Sequence, residues 1–224
     1  MNRPAVAIFV KTPGLSPVKT RLAKRLGDDA AADWHRRAAA CVAEVVANSG
    51  LPACWAIAEP EAEDHPLWQG LPRVAQGDGG LGERMARVHS ALVARHGAAI
   101  LVGADLPQLR AADLREAADW LAGSAPCQVL GPARDGGFWL FGSNREHPLE
   151  AWTRPRYSRP DTAARFRESV SSVAGEQWLV LPERTDLDRA EDIDPVLAEI
   201  DALDEASPRQ RDLADWLRRQ RVTP

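Results

Sequence analysis

Phe9-Val10-Lys11-Thr12-Pro13-Gly14-Leu15-Ser16-Pro17-Val18-Lys19-Thr20-Arg21-Leu22 follows the apolar run Ala5-Val6-Ala7-Ile8 near the start of the chain. The pattern predicts a buried strand over residues 4–10 that opens into a turn, with a helix beginning just beyond. Three cations, Lys11, Lys19 and Arg21, are thereby placed at a strand exit. Backbone N–H groups at a turn and a helix start favour an anion, and nearby Lys and Arg add directed charge. A surface turn with solvated cations is the alternative reading. The other strand exits decide between the two.

Further strands are predicted over residues 53–58, 72–76, 98–102, 127–131, 137–142 and 177–181, all short and apolar. Between them Trp34, Ala38, Cys41, Val42 and Val45 recur at helical spacing, as do Leu81, Met85, Val88 and Leu92, the second helix stopping at Gly97. Residues 111–122 read as another helix, and the chain from about Ala190 as two helical pieces split at Ser207-Pro208. Strands alternating with helices imply an α/β fold with a mostly parallel sheet covered on both faces, a three-layer arrangement. In such sheets ligands bind beyond the carboxyl ends of the strands.

The 224 residues suffice for one sizeable core, and no shift in composition divides them, so one domain is expected over 1–224, with helices 190–221 packed on it. A hydrophobic share of 45% and a charged share of 27% describe an ordinary globular chain. Its net charge of −4 gives no general support for binding nucleic acid or an anionic membrane. No stretch approaches the roughly 20 apolar residues of a membrane span, and a cytoplasmic protein is expected. Cys41, Cys54 and Cys127 are far apart in apolar surroundings, as buried thiols would be, and the five histidines form no HExxH pattern.

Carboxylates stand at two later exits. Asp105, in Gly103-Ala104-Asp105-Leu106-Pro107, follows a predicted strand directly, where a rigid carboxylate suits Mg²⁺ or Mn²⁺; capping a turn before Pro107 is its bland role. Asp135-Gly136-Gly137 joins two strands and is first of all a hairpin signal, yet such a tip can present a carboxylate to a cleft while the glycines let a ligand come close. Thr185-Asp186-Leu187-Asp188-Arg189-Ala190-Glu191-Asp192 packs four acids into seven residues. Glu191 and Asp192 read as helix caps, while Asp186 and Asp188 alternate, so that one can face the cleft. Trp139, just after the Gly pair, is a candidate to lie beside a base or sugar.

Gly77-Asp78-Gly79-Gly80-Leu81-Gly82 satisfies the G-x-G-x-x-G dinucleotide pattern, with Asp105 as a candidate ribose acid. That pattern belongs in the first strand-helix unit, which here carries Lys11 to Arg21 instead. No G-x-S-x-G elbow or P-loop motif occurs.

Lys11-Thr12-Pro13-Gly14 with Val18-Lys19-Thr20-Arg21-Leu22, Gln76-Gly77 with Leu81-Gly82-Glu83-Arg84-Met85, Gly103-x-Asp105-x-Pro107, Gly131-Pro132-Ala133 with Asp135-Gly136-Gly137, and Asp186-x-Asp188 with Glu191-Asp192 occur in that order. Together they resemble the glycosyltransferase-A-like family called rSAM/selenodomain-associated transferase 1, over residues 5 to about 195. The resemblance implies a nucleotide-diphospho-sugar transferase fold, shared with molybdenum-cofactor and phospholactate guanylyltransferases. It implies a nucleotide or nucleotide-sugar donor and a small-molecule acceptor, with a divalent metal, Mg²⁺ or Mn²⁺, at Asp105. Two departures stand out: Ala104 and Leu106 within the usual Gly-Ser-Asp-Cys-Pro, and Tyr157-Ser158-Arg159 where a Trp-Ser-Thr element is usual.

The expected site therefore has Lys11, Thr12, Pro13, Gly14, Lys19, Arg21, Gln76, Gly77, Gly136 and Gly137 binding substrate, Asp105 and Asp188 holding the metal, and Asp135 as catalytic base. The expected reaction is metal-dependent glycosyl transfer. Transfer of NMP from an NTP with release of pyrophosphate, and nucleotide binding without turnover, are the alternatives.

Overall fold

The computed structural model describes residues 3–171 and 177–221. Its strands are β1 (Ala5–Val10), β2 (Ala53–Ile57), β3 (Arg73–Ala75), β4 (Ala99–Gly103), β5 (Cys127–Pro132), β6 (Phe138–Ser143) and β7 (Gln177–Val180). All seven coincide with the expected strands to within a residue. They form one sheet in the order β3-β2-β1-β4-β6-β5-β7. Every neighbouring pair is parallel except β4·β6 and β5·β6, because the short link from β5 to β6 permits only an antiparallel return.

The strict alternation of β1 builds the two faces. Val6, Ile8 and Val10 point into one core with Val42, Val45, Leu114 and Leu121, which belong to helices α2 (Asp28–Ser49) and α4 (Ala111–Leu121). Ala5 and Ala7 point into the other, with Met85, Val88 and Leu92 of α3 (Leu81–His96). A third cluster joins Leu22, on α1 (Thr20–Leu26), and Trp34 to Leu197 and Leu217. The last two lie on α7 (Ile193–Asp201) and α8 (Pro208–Arg221), the two pieces expected at the C-terminus. All three cysteines are free and buried, and burial pushes the Cys41 and Cys54 thiols up to about 12 and about 11.

Two helices escaped the sequence reading, α5 (Leu149–Thr153) and α6 (Thr162–Val170). The first is barely a turn long and sits between Pro148 and Pro155. The second buries only Thr162, Phe166 and Val170, one residue per turn, too thin a stripe to show as periodicity. Both pack beneath the β5–β6 hairpin, where Phe166 meets Phe141 edge-on at 4.8 Å. Among the described residues no helix is long and apolar enough to cross a membrane.

Candidate functional site

The carboxyl ends of β1, β2, β3 and β4 share one edge with the start of the antiparallel β6, which gathers the charged exits along a single cleft. The loop after β1 is folded on itself: Leu15 and Ser16 N–H both donate to Thr12 O, and Gly14 takes φ 93°. Lys19, just ahead of α1, is held in the left-handed region at φ 46°. That strained backbone sends its side chain inward, where it is only 8% exposed.

Lys19 Nζ lies 3.1 Å from Asp105 Oδ2 and 3.9 Å from Asp188 Oδ1. Arg21 donates to Asp188 Oδ2 at 2.6 Å. The residues expected to hold phosphate and those expected to hold metal are therefore joined to each other. His35 completes the cluster, with Nδ1 3.1 Å from Asp105 Oδ1 and Nε2 2.9 Å from Lys11 O. Burial opposes ionisation of Asp105, but the Lys19 ammonium and then His35 outweigh it, holding the carboxyl well below the usual carboxylate range. Burial likewise works against the Lys19 ammonium, yet Asp105 and Asp186 raise its pKa.

Asp186 is the contrasting acid. Burial pushes its carboxyl up to about 7; Lys19 opposes the rise, and Asp105, Asp135 and Asp188 add to it. Four carboxylates thus converge on this end of the sheet. Asp186 faces a cavity of about 220 Å³ together with Asp135, Gly103, Phe138, Trp139 and Tyr157. Asp188 faces Lys19 and Arg21, so the alternation of the two acids does split them between two parts of the cleft. Their segment is clamped from behind: Thr185 Oγ1 donates to Glu199 Oε1 at 2.6 Å, and Gln108 Nε2 donates to Thr185 O at 2.6 Å. Asp192 Oδ2 accepts from the N–H groups of Asp188 and Arg189, the capping role expected of it.

Asp135 is exposed at the tip of the β5–β6 hairpin, where its Oδ1 accepts the Gly137 N–H at 2.8 Å. Gly136 takes φ 87°, and any Cβ there would collide with the backbone of Pro160. Gly137 lines the cavity. Trp139 lines it too, but is 3% exposed, with its ring packed on Gly131 and its Nε1 donating to Pro182 O.

Two expected contacts need correction. The Gln76 amide is spent within the sheet, donating to Val10 O at 3.2 Å and Ala56 O at 2.8 Å. Thr12 is fully buried, its N–H donating to Glu59 Oε2 and its hydroxyl accepting from Trp68 Nε1. Both groups shape the loop from inside. Lys11, Pro13 and Gly14 remain at the surface of the loop. Gly77 takes φ 75° against the Arg87 guanidinium, which donates to Gln76 O. The start of α3 carries its own anion, since Glu83 Oε2 accepts the Gly80 N–H at 2.6 Å, and this removes the G-x-G-x-x-G stretch as a phosphate cradle.

Sequence reading missed His35 and Glu59. His35 sits on the buried face of α2 next to Trp34, so a polar residue interrupting that apolar stripe was the available signal. Asp105 and Asp188 fit a hard divalent cation: both are carboxylates, both lie within 4 Å of the single Lys19 ammonium, and both are about a third exposed. Among the described residues no three His, Cys, Asp or Glu side chains form a closed cage. Mg²⁺ needs none, since one or two carboxylates with substrate phosphates and water suffice.

The sheet order, the single antiparallel strand and the cleft at the carboxyl edge define a nucleotide-diphospho-sugar transferase fold. A "putative nucleotide-diphospho-sugar transferase" from Desulfovibrio desulfuricans G20 superposes with a TM-score of 0.83 at 24% identity, covering 98% of each chain. Rv0371c from Mycobacterium tuberculosis H37Rv superposes with a TM-score of 0.55 at 14% identity, over 88% of this chain and 98% of its own. CMP:2-keto-3-deoxy-manno-octonic acid synthetase, complexed with CTP, gives 0.53 at 13% identity, over 86% of this chain and 96% of its own. At these identities the likeness is one of fold. No curated protein matches the sequence. The chain belongs to the family described as "Uncharacterized protein conserved in bacteria (DUF2064)", matched over residues 31–159.

Proposed function

We propose that residues 1–224 act as one cytoplasmic transferase domain that moves the glycosyl group of a nucleotide-diphospho-sugar to a small acceptor with the help of a divalent metal. The observation that carries this reading is the interlocked set Lys19, Arg21, Asp105 and Asp188, with contacts of 2.6 to 3.9 Å. A metal–diphosphate pair presents the same charges in mirror image, so each internal ion pair can be exchanged for a contact to the donor. Lys19 and Arg21 would turn to the diphosphate oxygens, the guanidinium through its fork of donors. Lys11 and the turn at Pro13-Gly14 would border the nucleotide. Held by Asp105 and Asp188, the cation would supply charge stabilisation to the departing diphosphate.

The acceptor would enter the aromatic cavity beside Gly136-Gly137. Its hydroxyl oxygen bonds to the anomeric carbon as the bond from that carbon to the phosphate oxygen breaks, with the electron pair leaving on the nucleoside diphosphate. Asp135 accepts the hydroxyl proton, for which its exposed position at the hairpin tip suits it.

Nucleotidyl transfer is the second reading, favoured by the fold shared with the CTP-bound synthetase. There the acceptor oxygen bonds to the α-phosphorus, and pyrophosphate leaves. A thermal-shift panel of NDP-sugars and NTPs with and without Mn²⁺ tests both, since a ligand that binds only the folded chain raises its melting temperature. A metal-dependent shift with an NDP-sugar and none with the NTP is expected. The reverse pattern would move the assignment to nucleotidyl transfer, and no shift with either would sink the donor reading.

A further inference from the structure

A second cavity lies beside the one that Asp135 lines. Arg154, Arg156, Arg159 and Arg165, with Asp161 and Glu168, line a cavity of about 530 Å³, within the range of small-molecule sites, about 300–1,000 Å³. Arg159 also lines the aromatic cavity that holds Asp135 and Asp186, so the two chambers share a wall. Both acids of the second chamber are engaged by a single cation, Arg165, at 3.4 Å from Asp161 and 3.3 Å from Glu168. Among the described residues, the Arg154, Arg156 and Arg159 guanidinia have no carboxylate partner. On a chain of net charge −4, this is a local surplus of positive charge.

Exposed arginines are ordinarily just solvated, but the backbone that carries these is tied down at several points. Thr162 Oγ1 lies 3.0 Å from Arg156 O and 2.8 Å from Arg159 O, and accepts the Arg159 N–H at 3.0 Å. Tyr157 donates its hydroxyl to Trp152 O at 2.6 Å, and Ser158 is held at φ 59°. Ala163 N–H donates to Gly136 O at 2.8 Å, with Pro160 packed over Gly136. The arginine turn is thereby fastened to the tip that presents Asp135. The backbone that carries Arg156 and Arg159 is held in a fixed relation to the proposed base.

We propose that the chamber formed by Arg154, Arg156, Arg159 and Arg165 binds the phosphate of a phosphomonoester acceptor whose hydroxyl reaches Asp135 through the aromatic cavity. The role as acceptor rests on the transferase reading above; the phosphate site does not. Three guanidinia without carboxylate partners match the three terminal oxygens and near-double negative charge of a phosphomonoester better than a single carboxylate, because each fork can engage two oxygens.

Titration calorimetry on the full chain tests the assignment, with glycerol 3-phosphate and inorganic phosphate as probes, and glycerol and malonate as controls. Saturable binding of both phosphate probes is expected, none of glycerol, and weaker binding of malonate. The doubly substituted chain Arg156→Ala, Arg159→Ala is expected to lose at least tenfold in affinity for glycerol 3-phosphate while binding NDP with Mn²⁺ within twofold of the parent. Both residues are exposed, so the substitutions leave the core untouched. Equal phosphate binding by parent and variant would overturn the proposal, as would absence of saturable binding or preference for malonate. So would loss of glycerol 3-phosphate binding on Lys19→Met with retention in the double variant, which would place the anion in the donor site. Phosphate binding that follows Arg156 and Arg159 without any nucleotide binding would support the chamber and sink the donor reading.

Discussion

Lys19 Nζ and Asp105 Oδ2 stand 3.1 Å apart at the exits of two adjacent parallel strands, β1 and β4. On the transferase reading proposed above, the pair would make metal and donor interdependent. A cation approaching Asp105 meets an ammonium already there, and a diphosphate approaching Lys19 meets a carboxylate. Binding either ligand alone would break an ion pair without replacing both halves; binding the two together would replace both.

Lys19→Met should therefore act in opposite directions on the two ligands. Mn²⁺ alone should bind the variant more tightly, since Asp105 and Asp188 lose their shared counter-charge. NDP in saturating Mn²⁺ should bind at least tenfold more weakly, about 1.4 kcal/mol. Asp105→Asn should instead abolish most of the metal dependence of nucleotide binding. Titration of each ligand in the absence and presence of the other measures all of these effects, and unchanged Mn²⁺ affinity in Lys19→Met would refute the coupling.

Arg21 is more than half exposed, and its partner Asp188 is also partly open to water. Its pairing is worth little to folding, so Arg21→Ala should leave the melting temperature nearly unchanged. Donor binding should suffer instead, by roughly tenfold for NDP and NDP-sugar, with little change for the bare nucleoside. Equal losses for nucleoside and nucleotide would indicate a disturbed loop.

The residues of this cleft that the sequence revealed are those whose charge stands at a strand exit. β1 is an unbroken apolar run that stops at Lys11, so its end, and with it the loop carrying Lys19 and Arg21, could be located; Asp105 follows an apolar strand in the same way. The hidden ones are polar groups that serve the backbone. Glu59 accepts an N–H from Thr12, 47 residues away, and Gln76 bonds carbonyls of two strands that no local pattern brings together. Their place in the motifs that carry the family resemblance made Thr12 and Gln76 look like ligand contacts. Only the register of the sheet reveals that their polar atoms are already occupied. His35 was hidden differently, as a polar residue set within the apolar stripe of α2.

A buried histidine pair beside β6 should make stability fall in mild acid. Ser143 Oγ donates to Arg145 O and lies 2.9 Å from His89 Nε2 and 3.1 Å from His147 Nε2, so both rings donate to it from Nε2. Nδ1 of each is buried and, among the described residues, has no hydrogen-bond partner. A further proton there would find no acceptor. Burial lowers His89 to about 3, with His147 adding to the effect, and burial lowers His147 to about 4. Because the folded values lie below the unfolded one, the unfolded chain takes up more protons as pH drops. This contribution is full above about pH 6.5, the ordinary histidine value, and is lost toward pH 4; each tenfold difference in proton affinity between folded and unfolded chain is worth about 1.4 kcal/mol. Urea unfolding between pH 7 and pH 4 should show a shallower decline for His147→Gln than for the parent, and parallel declines would dismiss the pair as the cause.

Asp135 offers the sharpest separation of binding from chemistry, because its structural duty and its proposed duty use different properties. The hairpin needs only an acceptor for the Gly137 N–H, which the side-chain oxygen of Asn supplies as well as a carboxylate. Proton uptake needs the carboxylate itself. Asp135→Asn should accordingly keep the hairpin, the melting temperature and the donor-induced thermal shift, while turnover drops by a factor on the order of 10² to 10⁴, the usual contribution of a general base. Gly136→Ala supplies the contrasting case: φ 87° and the Pro160 backbone leave no room for a methyl group, so the tip itself should be displaced, with a lower melting temperature and activity lost alongside. If Asp135→Asn loses donor and Mn²⁺ binding together, the residue is a metal ligand and the base lies elsewhere in the cleft. If it retains full turnover, the Asp-Gly-Gly tip is a turn and nothing more.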